Sequence, residues 1–205
     1  AMAVLIITAS HNPKEYNGYK VYNPDGGQIM PPEAEAISRL MPPCLGLTKI
    51  KYKANKKLIY YVDQKIIDSY FVEVQKALCN RDIVKENKKY PVVVTAHHGT
   101  ASILLPQFLK ELKWNVFPVK EQCIPDPNFT NSPSSNPEYF DSFNMAIKLA
   151  EKVKAEILIG VDPDADRMAA VVKHKGKWVS LTGNESGIIM TYYNLTHKSY
   201  MFKPY

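Results

Sequence analysis

From Asp63 onward, short apolar runs alternate with stretches of helical periodicity, and that alternation admits few architectures. Ile67, Tyr70, Val74 and Leu78 share one helical face. "PVVVTA" (91–96) then reads as a buried strand, "TASILLPQFLKEL" (100–112) as a helix and "WNVFPV" (114–119) as a second strand. Pro106 is expected in the first turn of that helix, where a missing N–H costs little. Residues 124–139 carry too many prolines to be anything but a loop. Phe140, Phe143, Ile147 and Ala150 mark another helix. Strands follow over "EILIGV" (156–161) and "MAAVVK" (168–173), then a last helix over 182–197. Strands separated by helices predict an α/β fold around a mainly parallel sheet.

The first third of the chain is patterned differently. Residues 3–8 form a continuous apolar run and predict a buried strand. Residues 18–23 predict a second strand, and "NPDGG" (23–27) is turn chemistry of the hairpin kind. "PPEAEAISRLM" opens with prolines and acids and carries Ala34, Ile37 and Leu40 at helical spacing. Residues 42–57, rich in Pro and Lys, read as a connection at a domain edge.

Composition narrows the function classes. With 205 residues, 45% of them hydrophobic and 22% charged, the chain suits one ordinary globular domain with pieces of neighbours. The net charge of +6 comes from scattered lysines, Lys49, Lys56 and Lys85 among them, without a long block. Such an excess suits phosphorylated metabolites, and no finger or RNA-binding signature points to a nucleic-acid partner. Cys44, Cys79 and Cys123 are odd in number and lack metal or disulfide spacing, so a reducing compartment, the cytoplasm, is expected. "AVLII" is too short to cross a membrane and lacks the charged start of a signal peptide, so no membrane association is expected.

Two loops carry the chemistry. In "IGVDPDADRMAAV" (159–171), Asp162, Asp164 and Asp166 follow an apolar strand at i, i+2 and i+4. Hard divalent cations take oxygen ligands, and a strand's carboxyl end is where α/β sheets bind. An EF-hand would need Gly at its sixth position and Glu at its twelfth; Arg167 and Lys173 stand there. Three carboxylates leave room for phosphate oxygens and water, which suits magnesium, and Arg167 is a natural phosphate fork. The competing reading is a solvated acidic turn. In "ITASHNPKEYNGYKVY" (7–22), Ser10 also follows a strand. It lacks the flanking glycines of a hydrolase elbow, and no P-loop is present. A serine beside His11, with Lys20 ten residues on, suits a hydroxyl that carries a phosphoryl group near cations, provided that the hairpin folds back. Taken alone, Ser10 reads better as part of an ordinary Ser/Asn turn than as a phosphoryl carrier.

Together the two stretches resemble the alpha-D-phosphohexomutase family, the phosphoglucomutases, phosphomannomutases and related phosphosugar mutases. "TASHNPKEYNGYKVY" looks like the family's phosphoserine loop and "DPDADR" like its metal loop. "HHGTA" (97–101) and "PDPNF" (125–129) look like segments of the phosphoglucomutase and phosphopentomutase branch. The resemblance implies three-layer α/β domains with mixed, mainly parallel sheets. Residues 1–62 would be the end of domain one, 63–178 domain two and 179–205 the start of domain three, so that "NESG" (184–187) opens that domain's first helix. The sugar-selecting loop of domain three and the phosphate-binding domain four would lie outside these residues, and the 205 residues alone are expected to show little or no mutase activity.

By the same resemblance, Ser10 would carry the phosphoryl group, and Asp162, Asp164 and Asp166 would bind Mg2+ together with it. Arg167 would contact the phosphoserine, and His11 and Lys20 would line the reaction site. The implied reaction moves phosphate between the 1- and 6-positions of a hexose, or the 1- and 5-positions of a pentose, through a bisphosphorylated sugar. A phosphorylated sugar is the implied partner and a glucose 1,6-bisphosphate-type activator the implied cofactor. A metal-dependent phosphatase and a non-catalytic basic binding module are the competing classes.

Overall fold

The computed structural model describes residues 2–41, 53, 55–78, 83–87 and 89–197. Most of the connection expected over 42–57, with Cys44, and also Cys79, lie outside the described residues. The chain divides into two compact units, Ala1–Thr8 with Gly18–Glu73 and Ala9–Asn17 with Val74–Tyr205.

In the first unit, β1 (Val4–Ile7) pairs antiparallel with β2 (Tyr19–Tyr22), Ile6 opposite Lys20. The expected turn follows. Gly26 N donates to Asn23 O at 3.0 Å, and Gly26 takes a φ of 88°, which a side chain would resist. Helix α1 (Pro31–Leu40) begins on two prolines, whose absent N–H groups would have had no helical partner there. Glu33 Oε2 accepts from Met30 N at 3.2 Å and closes that end. The run at 3–8 is indeed a strand, but it is not buried: Leu5 is 64% exposed and Ile7 68%. A ribbon of two strands offers no layer to cover its faces. The expected apolar stripe of α1 is uncovered in the same way, with Leu40 largely exposed.

Helix α2 (Gln64–Lys76) starts where Asp63 Oδ1 accepts from Ile66 N at 3.1 Å, an acidic cap. Its less exposed stripe is Ile67, Phe71 and Val74, with Leu78 just beyond the helix end, rather than one containing Tyr70. Phe71 is buried and Tyr70 is exposed, since spacings of four and three residues both keep to one face. A short helix α3 (Ile83–Glu86) follows.

The second unit is built on a five-stranded sheet in the order β4-β3-β5-β6-β7, comprising β3 (Pro91–Thr95), β4 (Asn115–Pro118), β5 (Ile157–Val161), β6 (Met168–His174) and β7 (Lys177–Ser180). Strand β3 is parallel to β4 and β5, whereas β6 is antiparallel to β5 and β7, so the sheet is mixed: four strands share one direction and β6 alone runs against them. The links explain this. Loop 162–167 and the turn Lys175–Gly176 are too short for the crossover that parallel strands need. Both turn residues have positive φ, 48° and 77°, the two-residue hairpin geometry that matches strand twist.

Helices cover both faces of this sheet, giving the three layers. Val93, Leu158 and Val171 pack with Phe143, Ala146 and Ala150 of the segment containing α5 (Asn144–Val153). Val92 and Val94 pack with Leu109 of α4 (Ala101–Glu111). Burial on both faces is why β3 reads as an unbroken valine run. Pro106 is the sixth residue of α4, not part of its first turn, and is buried; Ser102 O there loses its helical donor. Residues 124–139 form neither strand nor helix, as their prolines require. Helix α6 (Gly183–His197) ends the described chain, and among the described residues no helix is long and apolar enough to cross a membrane.

Candidate active site

The site is assembled wholly within the second unit, where the parallel strands β3 and β5 end. Strand β5 delivers Asp162 at its carboxyl end, fully buried, followed by half-buried Asp164 and exposed Asp166. One carboxylate oxygen from each lies within 4.8 Å of the others. The loop closes on itself: Asp162 N donates to Arg167 O at 3.3 Å, and Arg167 N donates to Asp162 Oδ1 at 3.0 Å. Ala165 bends it with a φ of 63° and donates its N–H to Asp162 O at 3.0 Å.

Ser10, in the 9–17 segment of this unit, reaches the same place. Its Oγ donates to Asp162 Oδ2 at 3.1 Å and lies 3.2 Å from His11 Nδ1. Ser10 has a φ of 55°, a left-handed conformation that a serine adopts at some cost and that marks a constrained position. Arg167 Nη1 lies 3.5 Å from His11 Nε2. Ser10, His11, Arg167 and the three aspartates therefore lie together. Lys20 belongs to the first unit, on β2.

Burial pushes the Asp162 carboxyl above the ordinary carboxylate range. The Arg167 N–H bond opposes that shift, and the adjoining Asp164 adds to it. Crowded carboxylates that resist ionisation in this way are a donor set that a hard cation would relieve. The residues present thus fit a divalent cation held by oxygen ligands.

Several supporting residues were not singled out from sequence. Ser135, almost fully buried in the 124–139 loop, donates to His11 O at 2.8 Å and so fixes the serine loop from behind. His98 makes four bonds: its N–H donates to Gln122 O, its carbonyl accepts from Asp126 N, Nδ1 meets Ile124 O at 2.8 Å, and Nε2 accepts from Asn131 N at 3.1 Å. That pattern fixes the neutral tautomer with the proton on Nδ1. The "HHGTA" motif was the one sequence signal for this layer.

Comparison with known proteins shows the family. The phosphoglucomutase/phosphomannomutase alpha/beta/alpha domain II model matches residues 68–176, and the domain I model matches residues 1–42. The chain belongs to the phosphoglucomutase/phosphomannomutase family. Within it, a phosphomannomutase of Mycoplasmoides pirum is 42% identical over 206 aligned residues, covering 100% of this chain and 38% of that protein. A phosphoglucomutase of Staphylococcus aureus is 36% identical, covering 96% of this chain and 36% of that protein. The chain thus spans little more than a third of the length of these curated relatives. Among solved structures, a phosphomannomutase-like protein of Thermus thermophilus shares the fold at a TM-score of 0.72, with 22% identity over 96% of this chain and 41% of its own. An Aspergillus fumigatus N-acetylphosphoglucosamine mutase variant in complex with glucose 1,6-bisphosphate aligns at a TM-score of 0.53 and 15% identity, over 93% of this chain and 47% of its own.

Proposed function

We propose that this chain carries the phosphoserine and metal loops of a cytoplasmic phosphosugar mutase that moves phosphate between the 1- and 6-positions of a hexose. The observation that carries the reading is the bond from Ser10 Oγ to Asp162 Oδ2, which joins residues 152 apart in sequence and sets a hydroxyl beside three clustered carboxylates. Family membership supports it, and so do the names of the relatives, which span phosphomannomutase and phosphoglucomutase. On this reading residues 1–62 are the end of domain one, 63–178 are domain two and 179–205 begin domain three.

In the proposed reaction Ser10 Oγ holds the phosphoryl group. A sugar hydroxyl oxygen forms the new bond to phosphorus as the bond to Ser10 Oγ breaks, and the hydroxyl's proton passes to a base. The bisphosphorylated sugar turns over and returns its other phosphate to Ser10. Phosphoryl transfer depends on positioning and charge neutralisation more than on covalent help. Asp162, Asp164 and Asp166 would hold Mg2+, which supplies positive charge against the transferred group. Arg167 would bind phosphate oxygens as a planar fork. His11 Nδ1, 3.2 Å from Ser10 Oγ, is placed to hold or release the serine's proton. Lys20 is assigned to the reaction site by family pattern alone. A glucose 1,6-bisphosphate-type sugar would prime Ser10, in keeping with the ligand of the Aspergillus relative.

Intact-mass measurement of the protein tests this. The expected result is one covalent phosphate that disappears in Ser10→Ala. A phosphate that persists in that variant, or a protein that takes up none from glucose 1,6-bisphosphate, overturns the reading.

A further inference from the structure

The acidic loop leans directly on a turn that the reaction scheme does not use, His97 to Thr100 at the end of β3, and the same turn holds the segment that leads to Ser135 behind the serine loop. Gly99 lies against the acidic loop. A Cβ there would stand 2.3 Å from Pro163 Cα and 2.6 Å from Pro163 O. Those are backbone atoms, so no side-chain rotation could make room. Thr100 grips the same peptide: its N–H and its Oγ1 both donate to Pro163 O, at 2.8 and 3.0 Å. Thr100 occupies the N-cap of α4, where a threonine hydroxyl ordinarily turns inward to cap the helix, yet it makes no such bond. Its hydroxyl is spent on the loop instead.

Pro163 is flanked by Asp162 and Asp164, and its ring fixes φ, so a shift of its peptide is carried into both neighbours. The other arm of the turn is His98, whose four bonds hold residues 122–131. From the same loop Ser135 holds the serine segment at His11 O. His97 and His98 have φ of 41° and 66°, which bends the turn so that its two arms face different loops.

We propose that Gly99 and Thr100 are positioning residues for the cation site: they seat the Pro163 peptide and thereby set the spacing of the Asp162 and Asp164 carboxylates. This rests on the reading of the acidic loop as a cation site. Metal-site affinity is sensitive to such outer supports.

The test uses Mn2+ as the probe, with the free ion counted by electron paramagnetic resonance, on the parent protein, Gly99→Ala, Thr100→Val and Thr100→Ser. Gly187→Ala serves as the control, because a Cβ at Gly187 meets nothing within 4 Å. Gly99→Ala is expected to weaken Mn2+ binding by about tenfold or more. Thr100→Val is expected to weaken it by about threefold, with Thr100→Ser, which keeps the hydroxyl, restoring the parent value. Loss of fold alone would not reproduce that rescue. Should Gly99→Ala fail to fold, the Thr100 pair decides. Unchanged Mn2+ affinity in the folded variants overturns the proposal and leaves the cation site standing. A parent that binds no Mn2+ overturns both.

Discussion

Two apolar runs in this chain, VLII in β1 and the valines of β3, have nearly the same chemistry and opposite surroundings. Val92, Val93 and Val94 are 0 to 8% exposed, whereas the residues of β1 are 39 to 68% exposed. Strand β3 has a strand on each side and helical segments over both faces. In the described residues β1 has one strand partner and no covering layer. Hydrophobicity makes a segment worth burying, but the neighbours decide whether it is buried.

The most severe challenge to that contrast is Phe143→Ala. Phe143 is fully buried under the five-stranded sheet and meets His97 edge-on, ring centroids 5.4 Å apart. Denaturant unfolding should show a loss of about 3–5 kcal/mol. A loss below about 1 kcal/mol would place the core of the second unit elsewhere.

Next comes a pH effect at His97. Ser132 Oγ commits its proton to Ser134 O at 2.6 Å, so His97 Nδ1, 3.1 Å away, is the donor of that pair. Nε2 is buried against Gly160 and finds no hydrogen-bond partner among the described residues. Burial lowers the His97 pKa from 6.5 to about 4. The unfolded chain therefore binds the proton more readily than the folded one between those values. Stability is complete above pH 6.5 and falls as the pH drops toward 4, by on the order of 3 kcal/mol. Unfolding midpoints measured from pH 7 to pH 4 should show this fall, and His97→Gln should flatten it. An equal slope in the variant would remove His97 as its source.

Smaller still is Gly160→Ala. Its Cβ would stand 2.6 Å from Phe143 Cζ and 2.8 Å from His97 Nε2, so we expect overpacking to cost about 1–3 kcal/mol. A neutral result would mean that those rings yield freely. At the bottom of the scale, Leu5→Ala on β1 should change stability by no more than about 0.5 kcal/mol. A loss comparable to that of Phe143→Ala would show β1 covered in solution and would end the contrast.

Except for the short α3 and the edge strand β7, the order and type of the elements in the second unit could be read from sequence, because the longer strands and helices there keep their own period. What escaped was decided at a distance. Tyr70 and Phe71 are adjacent and similar in chemistry, and only packing distinguishes them. The direction of β6 depended on how little chain links it to β5. For the site, the Asp162-Asp164-Asp166 spacing was visible, but the approach of Ser10 across 152 residues came only through family resemblance. Ser135, His98 and Gly99 act through backbone atoms of other loops, and no local pattern marks such a role.

The antiparallel half of the second sheet has a consequence in time. Strands β5, β6 and β7 follow one another directly, the last two joined by Lys175–Gly176. Strands β3 and β5 can pair only after the chain between them, with β4 and α5, has been gathered in. Local pairing forms sooner because less chain entropy is lost in closing it. Pulse-labelled hydrogen exchange during refolding should find amides of β6 and β7 protected before those of β4. Loop 162–167 would then be shut early, and the turn that steadies it would arrive late. The carboxylates would be crowded first and braced second.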